Sequence, residues 1–261
     1  MTTATTQPRD SKPCLQGFLL LDLCVRLLIW SSSLALTIAT MTALDNWPQG
    51  AIIGAHLGLA WTWGEKLIHV ILFFNLYYVV CLVVLRLLIP TPREGTYSTA
   101  PGVPLNRNLV YAAFIAMLTK ARYHAPFPGF LVFHVANLPP LRWLMDPIFG
   151  PRSKSCYVLD PIIGDPHMTE IGRNVVFGFN CSVTAHTQQR DSIVIRKVTI
   201  GDDVLIGANA VIFSGTTIGR GAVILSGAVV PPDTTIGDYE IWGGLPAKKL
   251  KNLPAPATES A

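Results

Sequence analysis

Residues 200–241 read, in groups of six, IGDDVL IGANAV IFSGTT IGRGAV ILSGAV VPPDTT IGDYEI. The first place of every group holds isoleucine or valine, and the fifth place of the first six groups holds valine, alanine or threonine. An amphipathic helix repeats every three or four residues and a half-buried strand every two, so neither explains a period of six. The period predicts a repeat architecture.

A six-residue step suits a coil with three short flat sides. Each side stacks its branched aliphatic residue on the one eighteen residues away, which fills a narrow interior, and glycine relieves the corners. Working backward, Ile171, Phe177 and Val183 keep the same step, but Val183 to Val194 is eleven residues instead of twelve. We therefore expect the register to slip once there, with a loop leaving the coil. Successive ordinary β-hairpins are the alternative, but they would show two-residue alternation.

The repeats identify a family. Residues 198–230 (VTIGDDVLIGANAVIFSGTTIGRGAVILSGAVV), followed by GGLPAKKLK, resemble the left-handed parallel β-helix of the hexapeptide-repeat acyltransferases, and the resemblance covers residues 160–251. The family's closing Gly-x-Pro-Ala-Lys segment is matched by residues 244–248. The arrangement of apolar runs followed by the coils, with DPIIGDPHMTEIG (residues 160–172) leading into them, resembles the membrane-embedded terminal region of polylysine-type nonribosomal peptide synthetases and related free-standing transferases.

The composition of the whole chain limits what it can be. Of 261 residues, 50% are hydrophobic and 14% charged, which excludes a disordered chain and is too apolar for an ordinary water-soluble enzyme. The net charge is only +4, and no Lys/Arg-rich block with interleaved aromatics is present, so we expect no nucleic-acid partner. Five cysteines without a C-x-x-C spacing argue against a disulfide framework or a cysteine-rich zinc site.

Two long apolar runs lie near the N-terminus. Residues 15–44 and 67–89 are each long enough to cross a hydrocarbon core of about 30 Å. A cleaved signal peptide fits poorly, because the first run is far longer than the apolar core of such a peptide. Residues 51–64 are too short to span alone, so they are interpreted as an interfacial or re-entrant piece or as an extension of the second helix.

The charges that flank these runs predict an orientation. Arg9 and Lys12 precede the first run, Arg93 and Arg107 follow the second, and residues 42–65 contain no lysine or arginine. By the positive-inside rule both termini are cytosolic. We therefore expect an integral protein of the inner or plasma membrane with its catalytic domain in the cytosol.

The expected architecture is an N-terminal transmembrane α-helical region followed by a left-handed parallel β-helix. The predicted segments are a disordered N-terminus (1–13), a transmembrane helical anchor (14–95), interfacial helices and a connector (96–155), the β-helix acyltransferase domain (156–251) and a flexible tail (252–261). Within the first span Asp22 and Arg26 are four residues apart and share a helix face. They are expected to form a salt bridge, with a polar contact to a bilayer substrate as the alternative.

Acyl transfer from a thioester to a hydroxyl or amine needs a base that takes the acceptor proton, and a neutral imidazole suits that role at neutral pH. In the family a histidine followed by a loop and a V-x-I-G coil is that base, and His186 with residues 198–201 matches the arrangement. His186 is thus the predicted catalytic base, with a turn-capping surface histidine as the alternative. The loop is shorter than in sugar-modifying members, and Leu205 stands where they often carry tryptophan.

Three further residues are candidate acceptor contacts by the same resemblance. His167 is the rival base and is otherwise interpreted as structural or substrate-lining. Asp165 is expected to orient a substrate hydroxyl or amine. Asn180 either contacts the acceptor or serves its own turn, because asparagine tolerates left-handed backbone angles. Cys181 occupies a fifth place and is expected to point inward as a small core residue.

The resemblance also places acetyl-coenzyme A, or another acyl-CoA, in a groove between adjacent subunits of a homotrimer. Gly207, Ala208 and Ser226 would offer backbone groups to the thioester and the pantetheine arm, and backbone N–H groups there would stabilise the oxyanion. The closing segment with Pro246, Ala247 and Lys248 would complete the donor site. Lys248 and Lys249 are the candidate phosphate partners, with a solvated tail as the alternative.

The predicted function is a membrane-anchored acyl-CoA-dependent O- or N-acyltransferase acting on a small-molecule, sugar, peptide or lipid-linked acceptor, next to membrane lipids. No metal is expected. A non-catalytic trimerising scaffold is the first alternative. The second is a metalloenzyme like the γ-class carbonic anhydrases, which needs three histidines around zinc, whereas the repeat half holds only His167 and His186.

Overall fold

The computed structural model describes residues 13–45, 59–123, 144, 146–153 and 161–254. The chain divides into two compact units, Met1–Leu88 with Lys120–His134 and Ile89–Thr119 with Val135–Ala261. Most of the predicted disordered N-terminus (1–13) and of the predicted flexible tail (252–261) lies outside the described residues, as do residues 124–143 of the predicted interfacial and connector segment (96–155).

Two long helices, α1 (Pro13–Asp45) and α2 (Leu59–Leu88), belong to the first unit. Within them Leu20–Ala43 and Lys66–Leu88 are long and apolar enough to cross a membrane, by length and composition. The helices pack side by side: the Thr40 hydroxyl lies 2.5 Å from the Tyr77 hydroxyl. Such hydroxyl contacts are common between helices in apolar surroundings, where a polar group needs a partner.

Two predictions made from the sequence concern the first unit. Because α2 begins at Leu59, residues 59–64 extend the second helix, which was one alternative for 51–64; residues 51–58 lie outside the described part. Arg26 Nε donates to Asp22 Oδ2 at 3.0 Å, so the predicted pairing of these two residues is confirmed.

The strands belong to the second unit, and most contain only two residues. In chain order they are β1 (Gly95–Ser98), β2 (Arg152–Ser153), β3 (Ile162–Ile163), β4 (Thr169–Ile171), β5 (Val176–Phe177), β6 (Ser182–Val183), β7 (His186–Gln188), β8 (Ser192–Ile195), β9 (Val198–Ile200), β10 (Leu205–Ile206), β11 (Val211–Ile212), β12 (Thr217–Ile218), β13 (Val223–Ile224), β14 (Val229–Val230), β15 (Thr235–Ile236), β16 (Glu240–Gly244) and β17 (Ala247–Asn252). A third helix, α3 (Arg107–Tyr123), follows β1 in the chain.

Parallel pairing sorts these strands into three faces of a β-helix. Face 1 contains β5, β10, β13 and β16, with β17 antiparallel at its end. Face 2 contains β3, β6, β11 and β14, and face 3 contains β2, β4, β9, β12 and β15. Each turn of the chain runs from face 1 to face 2 to face 3, so the predicted β-helix with three flat sides is confirmed.

The first-place residues form one interior column. Ile206 lies beside Phe177 in the preceding coil and Ile224 in the following one. Every member of the column is at most 2% exposed: Ile171, Phe177, Val183, Ile200, Ile206, Ile212, Ile218, Ile224, Val230 and Ile236. Burying a large aliphatic side chain stabilises a fold by about 1.5–3 kcal/mol, so each member of this column contributes to the stability of the unit.

An inserted hairpin interrupts the coil after Val183. Ile200 pairs with Ile171, twenty-nine residues earlier, where a regular coil would pair residues eighteen apart. The extra residues include β7 and β8, which pair antiparallel. The predicted register slip is confirmed, but the expected return to the column at Val194 is wrong. Val194 lies in β8 opposite Thr187, and the column resumes at Ile200.

Two boundaries differ from those predicted. Strand β1 pairs antiparallel with β8, so residues 96–98 belong to a sheet of the second unit and not to a connector. Leu109 of α3 is 5% exposed and joins the β-helix core, so the first turn of this helix has an apolar partner within the second unit. The β-helix also begins before residue 156, because β2 supplies the partner that the outer edge of β4 needs.

Candidate active site

The corner between faces 2 and 3 gathers three predicted site residues. Asp165 caps a short 3-10 turn, Pro166–Met168, that leads from β3 to β4 and contains His167. One coil further along, the chain leaves β6 at the same corner and enters β7 at His186. Stacking of the two coils therefore brings together residues that are twenty-one positions apart in the sequence.

His186 and Asp165 are in direct contact. The Nδ1 atom of His186 lies 2.5 Å from Oδ2 of Asp165, which also accepts the backbone N–H of Ala185 at 3.0 Å and the hydroxyl of Thr184 at 3.3 Å. A carboxylate only accepts, so Nδ1 carries the proton and, in the neutral ring, Nε2 carries the lone pair. The Asp165 side chain is 8% exposed and that of His186 48% exposed.

This arrangement changes the role that Asp165 can play. The sequence suggested a contact to the acceptor, but its carboxylate is buried and one oxygen already accepts three hydrogen bonds. A carboxylate in that position orients the imidazole and stabilises its charged form. His167 is half-buried in the same turn.

The pair shifts the titration of both partners. The hydrogen bond to Asp165 raises the pKa of the His186 imidazole above 6.5, against the opposing effect of burial. Burial raises the pKa of the Asp165 carboxyl, but the hydrogen bond and charge of His186, with a further contribution from the charge of His167, outweigh it and hold that pKa below its ordinary value. Asp165 is therefore ionised whenever His186 titrates.

The corner between faces 1 and 2 gathers the predicted donor residues. Gly207 and Ala208 follow β10, and Ser226 follows β13 one coil later. The closing segment forms the turn between β16 and β17, with Gly244 opposite Ala247 in the pairing of these strands. In a single chain, face 2 separates this corner from His186, so the structure does not bring donor residues and base together within one subunit.

One expectation at the donor corner needs correction. Gly207 was expected to offer its N–H to an oxyanion, but this N–H donates to the Ile224 carbonyl at 2.8 Å as part of the coil. The glycine has a packing reason instead, because a Cβ there would lie 2.3 Å from the Ser226 backbone nitrogen. Among the backbone hydrogen bonds of the described residues, the N–H groups of Ala208 and Ser226 donate to no carbonyl.

Asn180 lies at the donor corner, away from His186 in the same chain. Its φ angle is +57°, and its side-chain amide donates to the Asn209 side chain at 3.0 Å. Asn209 occupies the same corner one coil later with φ +58°. These contacts match the turn-serving alternative that the sequence left open.

The two candidate phosphate partners differ in their surroundings. Lys249 Nζ lies 2.5 Å from Glu240 Oε1, and the hydrogen bond to Lys249 is the main reason that the pKa of the Glu240 carboxyl falls to about 2. Lys248 is exposed, opposite Gly243 in the strand pairing. Lys249 is thus held by a carboxylate, and Lys248 presents its charge to solvent.

Two other expectations concern cysteine and metal. Cys181 is fully buried as predicted, and burial raises the pKa of its thiol to about 11, so it is neither nucleophile nor ligand at neutral pH. Within the described ranges, no three His, Cys, Asp or Glu side chains are grouped closely enough to hold a metal ion.

The sequence reasoning missed Phe179. Its side chain is 78% exposed at the donor corner, between Gly178 and Asn180. The repeat register could have found it, since Phe179 takes the place that Ala208 and Ser226 take in later coils. An exposed aromatic ring there offers an apolar surface beside the donor residues.

Comparisons with known proteins agree with this fold. A family model described as the hexapeptide repeat of succinyl-transferase matches residues 197–231. The chain is 32% identical over 128 residues to the "Putative acetyltransferase YvoF" of Bacillus subtilis (strain 168), which covers 46% of this chain and 73% of that protein.

Solved structures with a similar coil include two acetyltransferases. One is the hexapeptide-repeat acetyltransferase VCA0836 from Vibrio cholerae O1 biovar eltor, complexed with acetyl coenzyme A. The two chains are 18% identical with a TM-score of 0.41, and the match covers 60% of this chain and 97% of that chain. The other is a maltose O-acetyltransferase from Clostridium difficile 630. The two chains are 20% identical with a TM-score of 0.41, and the match covers 55% of this chain and 87% of that chain.

This protein is a transferase of the β-helix class, as shown by its six-residue repeat, its β-helix and its 32% sequence identity with YvoF. The chain belongs to the hexapeptide-repeat acetyltransferase family.

Proposed function

We propose that this protein is a membrane-anchored acetyltransferase that moves an acetyl group from acetyl-CoA to a hydroxyl or amine, with His186 as general base. The observation that carries the proposal is the contact between Asp165 and His186. It holds the ring with Nδ1 protonated and leaves the Nε2 lone pair as the basic site on a half-exposed side chain.

The proposed chemistry follows from that tautomer. Nε2 of His186 takes the proton of the acceptor O–H or N–H as the acceptor oxygen or nitrogen attacks the thioester carbonyl carbon. The carbon–sulfur bond breaks, and the leaving thiolate recovers the proton from the imidazolium to give free coenzyme A. Asp165 stabilises the imidazolium between these steps. The backbone N–H groups of Ala208 and Ser226 are the proposed oxyanion donors.

We further propose that the enzyme is a homotrimer of left-handed β-helices with shared active sites. The donor corner and His186 lie at opposite ends of face 2, so a neighbouring copy is needed to bring one to the other. The outward side chains support association. Those on face 1 are aliphatic (Val176, Leu205, Val223, Ile241), whereas those on face 3 are polar (Glu170, Thr199, Thr217, Thr235).

The two apolar helices are the proposed anchor, with both termini and the β-helix on the cytosolic side. An enzyme held at the membrane meets lipid-linked or hydrophobic acceptors, and the resemblance to the membrane region of polylysine-type synthetases favours such an acceptor or a peptide. Retention of the full chain in membranes after alkaline carbonate washing is the expected result. Release into the supernatant would contradict the anchor.

The test of the base uses detergent-solubilised full-length protein, acetyl-CoA and a metabolite and lipid extract as acceptor source, with thiol release as readout. His186→Ala should lower the rate by about 100-fold or more. His167→Ala is the matched control from the same corner and should keep most of the rate. Equal rates for wild type and His186→Ala would remove the proposed base. Absence of acetyl transfer by the wild type would favour the trimerising scaffold instead.

A further inference from the structure

Strand β1 shares a sheet with the hairpin that carries His186. The strand order is β1, β8, β7, with both pairings antiparallel. Ile195 at the end of β8 lies opposite His186 on one side and Gly95 on the other. Gly95, Ile195 and His186 are thus neighbours across the three strands, although Gly95 and Ile195 are one hundred residues apart in the sequence.

The backbone hydrogen bonds show how β8 is held. Thr99 N–H donates to Asp191 O at 2.8 Å, so odd-numbered residues of β8 bond to β1. Gln189 N–H donates to Ser192 O at 2.8 Å, so even-numbered residues of β8 bond to β7. By this alternation the Tyr97 N–H points at β8, whereas the Thr96 N–H points away from it.

The hairpin has little else to hold it at its outer edge. On the inner side, Thr187 Oγ1 lies 2.6 Å from Ser214 Oγ, and Arg196 N–H donates to Ala185 O at 2.9 Å where the hairpin leaves the coil. A two-stranded hairpin is marginally stable in water, and a third strand with apolar packing makes it persist. Here β1 is that third strand, and Tyr97 and Ile193 pack on the β-helix core.

We propose that β1 is a positioning element for His186. By completing the sheet, it holds the hairpin so that the imidazole stays against Asp165. The inference rests on the proposed role of His186. β1 begins seven residues after Leu88, the last residue of α2. The chain that follows α2 then helps to position His186.

Proline substitutions in the full-length protein test this. Tyr97→Pro removes an N–H that bonds to β8, whereas Thr96→Pro, its matched control, removes one that points away. Tyr97→Ala keeps the N–H and accounts for loss of the ring. We expect Tyr97→Pro to lower kcat about tenfold to 100-fold and to leave KM for acetyl-CoA unchanged, because the substitution removes none of the proposed donor-binding groups. Thr96→Pro and Tyr97→Ala should each keep kcat within about threefold of the wild type.

A second readout separates positioning from a general loss of fold. If the hairpin loosens, His186 loses the contact with Asp165 that raises its pKa, and the acid limb of the kcat profile moves to lower pH. The titratable groups facing His186 there are Asp165 and, through it, His167. Equal kcat and equal acid limbs for Tyr97→Pro and Thr96→Pro would overturn the inference.

Cross-linking keeps the test decisive if Tyr97→Pro is unstable. Ser98 and Ser192 are opposite each other at a non-hydrogen-bonded position, where cysteines can form a disulfide. Adding Ser98→Cys and Ser192→Cys to Tyr97→Pro should restore kcat when oxidised and lose it when reduced. No recovery on oxidation would count against β1. Failure of the base itself is distinguishable, because it appears as full activity in His186→Ala.

Discussion

At the scale of single residues, one buried carboxylate controls how the site responds to pH. Asp165 accepts the Nδ1 proton of His186 and thereby favours the charged imidazole. A base must be neutral to accept a proton, so the contact that orients the ring also moves its working range upward.

The pH dependence of kcat is the first prediction. Because the pKa of His186 lies above 6.5, activity should fall as the pH drops through that raised value and be full above it. Asp165→Asn removes the negative charge, so the acid limb should move to lower pH while the rate at the plateau falls, by about tenfold to 100-fold. Rate profiles between pH 5 and about 9 measure both effects. An acid limb unchanged in Asp165→Asn would contradict the coupling.

Lys248 and Lys249 give the second prediction. Both lysines are exposed, but Lys249 is paired with Glu240. If Lys248 binds donor phosphate, Lys248→Ala should raise KM for acetyl-CoA several-fold and leave kcat unchanged. This corresponds to a loss of about 1 kcal/mol in the free energy of donor binding. Lys249→Ala is the control and should have the smaller effect on KM. The reverse order would assign the phosphate contact to Lys249.

Functional residues could be predicted from the sequence only where the repeat pattern marks their position. His186 was found because the period breaks beside it. Its pairing with Asp165 was not, since only the stacking of two coils brings those residues together. The side-chain contact of Asn180 with Asn209 follows from the same stacking.

At the scale of elements, the place of each residue within the coil decides what it tolerates. Gly207 faces the backbone of the next coil, where a Cβ would lie 2.3 Å from Ser226 N. Gly227 stands at the same kind of corner with φ +70°, and a Cβ added there would meet no atom within 4 Å. Two glycines in neighbouring coils are therefore required for different physical reasons.

Substitution of these glycines is the third prediction. Gly207→Ala forces backbone against backbone and should lower the free energy of unfolding by more than about 2 kcal/mol. Gly227→Asn should change it by less than about 0.5 kcal/mol, because asparagine accepts left-handed angles and already occupies this place at Asn180 and Asn209. Chemical denaturation of the two variants measures the difference. Equal destabilisation would show that contact with the next coil is not what requires Gly207.

The sequence predicted the elements of the coil far better than those beside it. The column from Ile200 to Ile236 follows the six-residue period, which directly reports burial. Strand β1 is four residues long and pairs with a strand about a hundred residues later, so no local period could reveal it. The hairpin was expected only as a loop, because its two strands lie outside the six-residue period.

At the scale of the whole molecule, the outward side chains and the separation of the two corners are the grounds for the proposed trimer. Leu205 is 45% exposed on face 1, although it is a large aliphatic residue in the middle of a strand ladder. Thr217, the outward residue of β12 on face 3, is exposed and polar. An interface that covers face 1 and spares face 3 accounts for the contrast.

Assembly is the fourth prediction. Wild-type protein in detergent should have the protein mass of three 28.4 kDa chains by native mass spectrometry. Leu205→Glu places a charge in the proposed interface and should shift the protein toward monomers, with loss of acetyl transfer. Thr217→Glu adds the same charge on face 3 and should leave mass and activity unchanged. A trimer that persists and remains active in Leu205→Glu would locate the interface elsewhere.

The reversal of the chain after Gly244 affects whether β-helices can polymerise end to end. A parallel ladder ends in a row of unsatisfied donors and acceptors that invites the first rung of another molecule. Here β17 folds back over β16 and covers that row with a strand rich in lysine. Because the hydrogen bond to Lys249 lowers the pKa of the Glu240 carboxyl to about 2, the ion pair is kept at any pH above about that value. Face 1 is thereby protected at this end against end-to-end polymerisation into fibres.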